Sequence, residues 1–318
     1  MSIADNPVFT DAAKAREWLE ALLWPDGPIC PHCGLIGCSQ QFHGKAHRPG
    51  VYKCKGCEKQ FTVTVGTIFE SSHLPLNKWL LAFHLMVASK KGMSAHQLHR
   101  MLDVTYKTAW FMAHRIREAL RSSFPEGLGP LGGANKVVEA DETYVGGKAK
   151  NRKNHVPPKE TVFSLVERGG RVRSKHVADV TGPTLRGAMV SEIDKASYVM
   201  TDESPTYSKV GDDFAGHGTV NHSAEEYVRA YFWHTNTVEG YFSILKRGII
   251  GIYHHVSAEH LHRYLAEFDF RYNERVALGV DDDARMVKAA KGVVGKRLTY
   301  RRTGRTVEAA PPEEAPPF

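Results

Sequence analysis

A chain of 318 residues with 42% hydrophobic and 24% charged residues has the make-up of an ordinary soluble protein, and it is long enough for two or more domains with real cores. Its formal net charge of +7 favours a polyanionic partner without proving one. The five cysteines exclude a disulfide framework, because the number is odd and four of them fall in CxxC pairs; that usage indicates metal binding in a reducing compartment, so the expected location is cytoplasmic.

Residues 1–24 read as an N-terminal amphipathic helix. Ala15, Trp18, Leu19, Leu22 and Leu23 fall on one stripe, and Thr10 is the expected N-cap. A zinc ribbon is expected over 25–70. Cys30-Pro31-His32-Cys33 and Cys54-Lys55-Gly56-Cys57 are two knuckles separated by twenty residues, and four thiolates complete a tetrahedral structural Zn²⁺ site with no open position. Cys38 is left without a role. Lys45, Arg48, Lys53, Lys55 and Lys59 around the knuckles suit phosphate contacts or an ordinary solvated surface.

The apolar stretch 79–88 is broken by His84 and is far too short to span a bilayer, so no membrane association is expected. Residues 75–122 read as a helix-turn-helix DNA-binding region, with Ser94 and Thr105 as N-caps and Leu98, Met101, Leu102, Val104, Ala109, Trp110, Met112 and Ile116 on packed faces. Tyr106, Lys107, His114, Arg115 and Arg117 are expected on the outside of its second helix. The competing reading is a helical hairpin that packs two domains together. A Gly/Pro-rich stretch at 124–133 reads as a linker.

From 136 the pattern changes to short apolar strands: 137–141, a hairpin of 161–167 with 173–180, then 197–203 and 218–222, with helices at 184–193, 236–247 and 257–276. Asp141 and Asp202, about sixty residues apart, each end an apolar strand, and two parallel neighbours ending in Asp would share one sheet edge. Carboxylates gathered from separate elements can hold two divalent metals, and two metals clamp the attacking and leaving oxygens of a phosphodiester displacement. Taken singly, each Asp is as readily a turn former. Asn236, Glu239, Ser243 and Lys246 form one helical stripe of a carbonyl, a carboxylate, a hydroxyl and a cation. Either Glu239 or Asn236 can complete the metal site, although Asn236 and Glu239 also fit a capping box. Glu142 and Glu203 should face away. Lys148, Lys150, Arg152 and Lys153 form a basic loop suited to a phosphate backbone. The tail, 277–318, is basic and ends in Pro/Glu-rich sequence expected to be partly disordered.

Several motifs together give a family resemblance: the knuckles at 30–57, Asp141-Glu142-Thr143-Tyr144-Val145-Gly146-Gly147-Lys148, Thr201-Asp202-Glu203, the run from His234 to Arg247, and the segments 251–257 and 270–275. In these the chain resembles bacterial insertion-sequence transposases of the DDE type with a zinc-ribbon head. The resemblance implies a multidomain α+β protein: zinc ribbon, helix-turn-helix, then an α/β ribonuclease H-like catalytic domain over 136–276. It implies catalytic and Mg²⁺ (or Mn²⁺) ligand roles for Asp141 and Asp202, with Asn236 or Glu239 as the third ligand. Lys246 would contact the terminal phosphates. The implied reaction is cleavage at the terminal inverted repeats that leaves a 3′-hydroxyl, followed by its attack on target DNA. The implied partners are double-stranded DNA and further copies of the chain in a synaptic complex. A catalytically inactive DNA-binding repressor and a metal-dependent nuclease of recombination or repair are the alternatives.

Overall fold

A computed structural model describes residues 5–44, 46–121, 129–146, 159–220 and 234–299. The expected linker falls partly outside these residues. The basic loop of Lys148, Lys150, Arg152 and Lys153, and the end of the tail from 300, fall wholly outside them.

The N-terminal segment forms a short helix α1 (Pro7–Thr10) and then α2 (Ala12–Leu23). Ala15 and Leu19 of the predicted stripe are fully buried. Thr10 is not the cap of the long helix. It lies in α1 and donates to the Asn6 carbonyl, while the Asp11 carboxylate caps α2 by accepting from the N–H groups of Ala13 (2.7 Å) and Lys14 (3.1 Å). A carboxylate at this position also opposes the helix dipole, which a hydroxyl does not. The ribbon consists of β1 (Ser39–Gln41), β2 (Tyr52–Cys54) and β3 (Gln60–Phe61), paired antiparallel in that order. Trp24 packs edge-on against Tyr52 and Phe61, which ties α2 to the ribbon.

Helices α3 (Leu76–Ala88), α4 (Ala95–Leu102) and α5 (Tyr106–Arg121) follow. Ser94 Oγ accepts from Gln97 N–H and Thr105 Oγ1 from Thr108 N–H, as their spacing predicts. Asp103 makes the turn between α4 and α5 in a left-handed conformation, φ 49°. Two expectations fail here. Met101 is half exposed. His114, Arg115 and Arg117 are buried, because the C-terminal half of α5 is wedged between α8 (Ala258–Asn273) and the chain's last described segment. Arg115 donates to the carbonyls of Ile68, Glu70 and Leu298, and Arg117 to Glu267. The first turn of α5, with Tyr106 and Lys107, faces outward, as does Arg121 at its end. The segment from 277 is part of the fold as far as it is described. Its helix α9 (Asp282–Lys291) packs on α3, Val293 C=O accepts from Ile68 N–H, and Gly66 C=O from Gly295 N–H.

The second half is built on a mixed sheet. Its strands are β4 (Val137–Gly146), β5 (Lys159–Glu167), β6 (Val172–Val177), β7 (Tyr198–Asp202) and β8 (Gly216–Val220), in the order β6-β5-β4-β7-β8. The β6-β5-β4 pairings are antiparallel, and β4, β7 and β8 run parallel. Alternation along β4 sends Val138 and Ala140 into a core with α6 (Gly182–Glu192), whereas α7 (Asn236–Gly248) and α8 cover the opposite face over Val145, Val162, Val166 and Val172. Helices on both faces of a mixed sheet give the layers of the ribonuclease H-like domain that the family resemblance implied. Among the described residues no helix is long and apolar enough to cross a membrane.

Candidate active site and zinc centre

The parallel pairing of β4 with β7 runs from Val137↔Tyr198 to Glu139↔Met200. Continued by two residues, the same register sets Asp141 beside Asp202. β4 does not end at Asp141, as the sequence suggested, but continues to Gly146 along β5, where Asp141 pairs with Ser164. The C-terminal end of the shorter β7 therefore meets the middle of a longer strand, and the two carboxylates share the resulting notch.

Alternation places Asp141 on the α7 face, with Glu139. Burial raises the Asp141 carboxyl to about 7; the charges of Glu142, Asp202 and Glu239 add to this, and the bond it accepts from Glu142 N–H (2.8 Å) opposes it. Asp202 spends one oxygen on a turn, accepting from Ser204 N–H at 3.0 Å, the turn-forming role its position suggested. Glu142 faces the other side, as expected, and accepts from the buried Tyr207 hydroxyl at 2.5 Å. Its pKa is nevertheless raised, by burial first and by Asp202 as well, so it belongs electrostatically to the same acidic edge.

α7 brings the third contributor. Val238, Tyr241, Phe242 and Leu245 form its buried stripe, and the opposite face carries exposed Asn236, Glu239 and Lys246 with half-buried Ser243. The capping box does not form. Thr235 is the N-cap residue, Asn236 is the first helical residue, and Glu239 accepts from Thr235 Oγ1 at 3.1 Å. The helix is capped instead by Glu139, a carboxylate from β4 to which the sequence reading gave no role. Fully buried Glu139 accepts from Thr237 N–H (2.8 Å), Val238 N–H (3.0 Å), Thr237 Oγ1 (2.8 Å) and Arg168 Nε (2.6 Å). A buried anion at a helix N-terminus satisfies orphan amides and opposes the dipole. It fixes the first turn of α7 to the strand that carries Asp141. The available signal was a charged residue on the inward face of an apolar strand. Glu139→Gln keeps the shape but turns an amide N–H₂ toward donors. It is expected to cost about 2 kcal/mol in chemical denaturation, and no loss would mean that the cap is dispensable.

Hard oxygen donors brought to one edge, where burial and the neighbouring negative charges raise the Asp141 carboxyl, suit a divalent cation that relieves that repulsion. The notch is open rather than a closed cage. Among the described residues, the set of His, Cys, Asp or Glu ligand atoms that gathers within 4.8 Å is the four sulfurs of Cys30, Cys33, Cys54 and Cys57. Cys30 and Cys57 Sγ lie 3.6 Å apart, as do Cys33 and Cys54 Sγ. Tetrahedral zinc with Zn–S near 2.3 Å requires sulfurs about 3.8 Å apart, so the donor set fits. The N–H groups of Cys57 and Gly56 lower the Cys54 thiol to about 7, while desolvation and the neighbouring sulfurs push the Cys33 thiol up to about 12.

Comparison with known proteins finds a match for each half of the chain. Residues 130–273 match the family model of the ISXO2-like transposase domain, and residues 10–60 match the transposase zinc-ribbon domain. An uncharacterized protein in transposable element ISH50 of Halobacterium salinarum is 28% identical over 283 residues, covering 83% of this chain and 91% of that protein. The crystal structure of a pre-cleavage Mos1 transpososome aligns over 88% of this chain and 89% of its own at 11% identity; its TM-score of 0.25 is too low to carry an argument.

Proposed function

Because the chain belongs to the insertion-sequence transposases of the DDE type with an N-terminal zinc ribbon, we propose that it binds the terminal inverted repeats of its element and cuts and joins DNA at the notch between β4 and β7. The observation that carries this reading is the acidic edge itself, where Asp141 is half-buried and raised to about 7 with Asp202 and Glu239 adding their charge.

Asp141, Asp202 and Glu239 are the residues that would hold Mg²⁺ or Mn²⁺. Glu239 is preferred over Asn236 because its charge acts on Asp141, while Asn236 is neutral and sits at the helix start. The bound cation would supply charge neutralisation and polarise a phosphate oxygen. Lys246, exposed two turns along α7, would hold a terminal phosphate. Glu139 keeps α7 against β4, and thereby keeps Glu239 on the same face as Asp141. The zinc ribbon and the α4–α5 pair, read as a helix-turn-helix, would grip the DNA ends. Two ends must be brought together, so the working form is an oligomer, acting on the nucleoid in the cytoplasm.

The test supplies a terminal-repeat duplex with a free 3′-hydroxyl, a supercoiled target plasmid and Mg²⁺. Covalent joining of the duplex to the plasmid is expected. Cutting without joining would favour the nuclease reading, and binding with neither would favour the repressor.

A further inference from the structure

A cavity of about 450 Å³ lies between the α4–α5 pair and the chain that leaves α7. That volume is within the range of pockets that enclose small ligands, roughly 300–1,000 Å³. Aromatic rings line much of it: Tyr106 and Trp110 from α5, Tyr253 from the π-helical turn Ile249–Tyr253, and Tyr264 from α8. His96, His254 and His255 add three more rings, and no Asp or Glu is among the described lining residues. Tyr106 is 45% exposed, with His96 stacked on it at 4.3 Å.

The walls are fixed. The Arg117 guanidinium lies 4.0 Å from the Tyr264 ring centre and 5.0 Å from that of Tyr253. Tyr253 donates to Glu267 at 2.6 Å and its hydroxyl abuts Gly92, where a Cβ would come within 2.0 Å of it. His254 holds φ 60° and ψ −43°, a costly conformation for a residue with a side chain, and its backbone turns the chain at the cavity rim. α4 begins at the wall with Ser94, Ala95 and His96; Ser94 Oγ takes the Gln97 amide, and the positive end of the helix dipole still favours a phosphate beside the rings.

We propose that this cavity receives a nucleobase swung out of the DNA duplex, stacked on Tyr106 and its neighbouring rings with its phosphate at the start of α4. The inference rests on the DNA-binding reading above and deepens it. Rings with no Asp or Glu beside them in the described lining, next to a helix N-terminus, match the two halves of a nucleotide, an aromatic base and an anion. One wall belongs to the helices proposed to grip DNA. The other continues α7, which carries Glu239 and Lys246. An unstacked base here would register the duplex against the acidic edge.

Terminal-repeat duplexes with a mismatch at one position at a time are the probe, because a mismatch removes part of the cost of opening the duplex. Wild type is expected to bind more tightly when the mismatch sits at one particular position, and 2-aminopurine at that position should report unstacking on binding. Tyr106→Ala is expected to weaken binding roughly 5- to 150-fold and to lose the mismatch preference, while Tyr106→Phe keeps both. Tyr106 is exposed at the start of α5, and a thermal melt checks that the variant is folded. A wild type that binds the repeat but shows no position of mismatch preference overturns the inference, as does a Tyr106→Ala variant that retains the preference. A wild type that binds no terminal-repeat duplex overturns the DNA-binding reading itself, and this inference with it.

Discussion

Removing zinc with a chelator is expected to unfold the knuckle-bearing part of the ribbon, residues 25–61, while Val63, Ile68 and Phe69 stay in the helical core. The core of this module consists of Cys30, Tyr52, Cys54 and Phe61, with Trp24, Cys57 and Val65 packed against it, and its strands are two or three residues long. So little apolar area cannot offset the entropy of ordering the loops, whereas zinc binding in comparable peptides contributes roughly 10–16 kcal/mol. The effect should spread to α2, whose neighbour Trp24 lies against Tyr52 and Phe61 and whose Glu20 accepts from Tyr52 OH at 3.2 Å. Atomic absorption should find one zinc per chain, and limited proteolysis after chelation should cut within 25–61 first. A chelated protein that keeps the same protease resistance would contradict a zinc-held ribbon.

Glu267→Gln is expected to destabilise the protein by about 3–5 kcal/mol. Glu267 is fully buried where α5 meets α8, and it accepts from Arg117 Nε (2.6 Å), Tyr253 OH (2.6 Å) and Arg271 Nη1. Burial alone would raise its carboxyl; the charges of Arg271 and Arg117 and the Tyr253 bond instead bring it down to about 2. Without that anion two buried guanidiniums face each other uncompensated, and Arg271 already has Nε and Nη2 with no hydrogen-bond partner. The folded pKa lies below the unfolded one, so the contribution is complete above about pH 4.5 and is lost as pH falls toward 2. Denaturant titrations of wild type and variant at pH 7 and pH 3 measure both effects. A loss below about 1 kcal/mol at pH 7 would mean that water reaches the arginines.

How much was legible in the sequence depended on how far apart the partners lie. The zinc knuckles are local signals, and the caps at Ser94 and Thr105 are local too; all stand as read. That Asp141 and Asp202 come to one edge was legible from two apolar segments that each reach an Asp at the same parallel register, although β4 runs on past Asp141. The helical stripe through Asn236, Glu239 and Lys246 was legible from its period. Partners that arrive from distant segments were not. Arg115 and Arg117 looked like solvent-facing cations, yet their acceptors are carbonyls near Ile68 and a carboxylate 150 residues further on. Asn236 and Glu239 spelled a capping box, but a buried Glu139 from another element took the amides first. Thr10 lost its cap role to the neighbouring Asp11, a choice between adjacent acceptors that spacing alone does not make.

The central claim is that the carboxylates of Asp141, Asp202 and Glu239 form one metal-dependent cutting site. The most direct measurement incubates a supercoiled plasmid carrying the element's own ends with Mg²⁺ and with wild type, Asp202→Ala, Glu239→Ala or Asn236→Ala, each first shown to be folded and to bind the ends. Wild type should nick at the ends only when metal is present. Since even the outer-shell partners of a metal site are worth 10–100-fold, Asp202→Ala and Glu239→Ala should lose more than about 100-fold, with Asn236→Ala close to wild type. A folded, DNA-bound Asp202→Ala that nicks as fast as wild type would contradict the site.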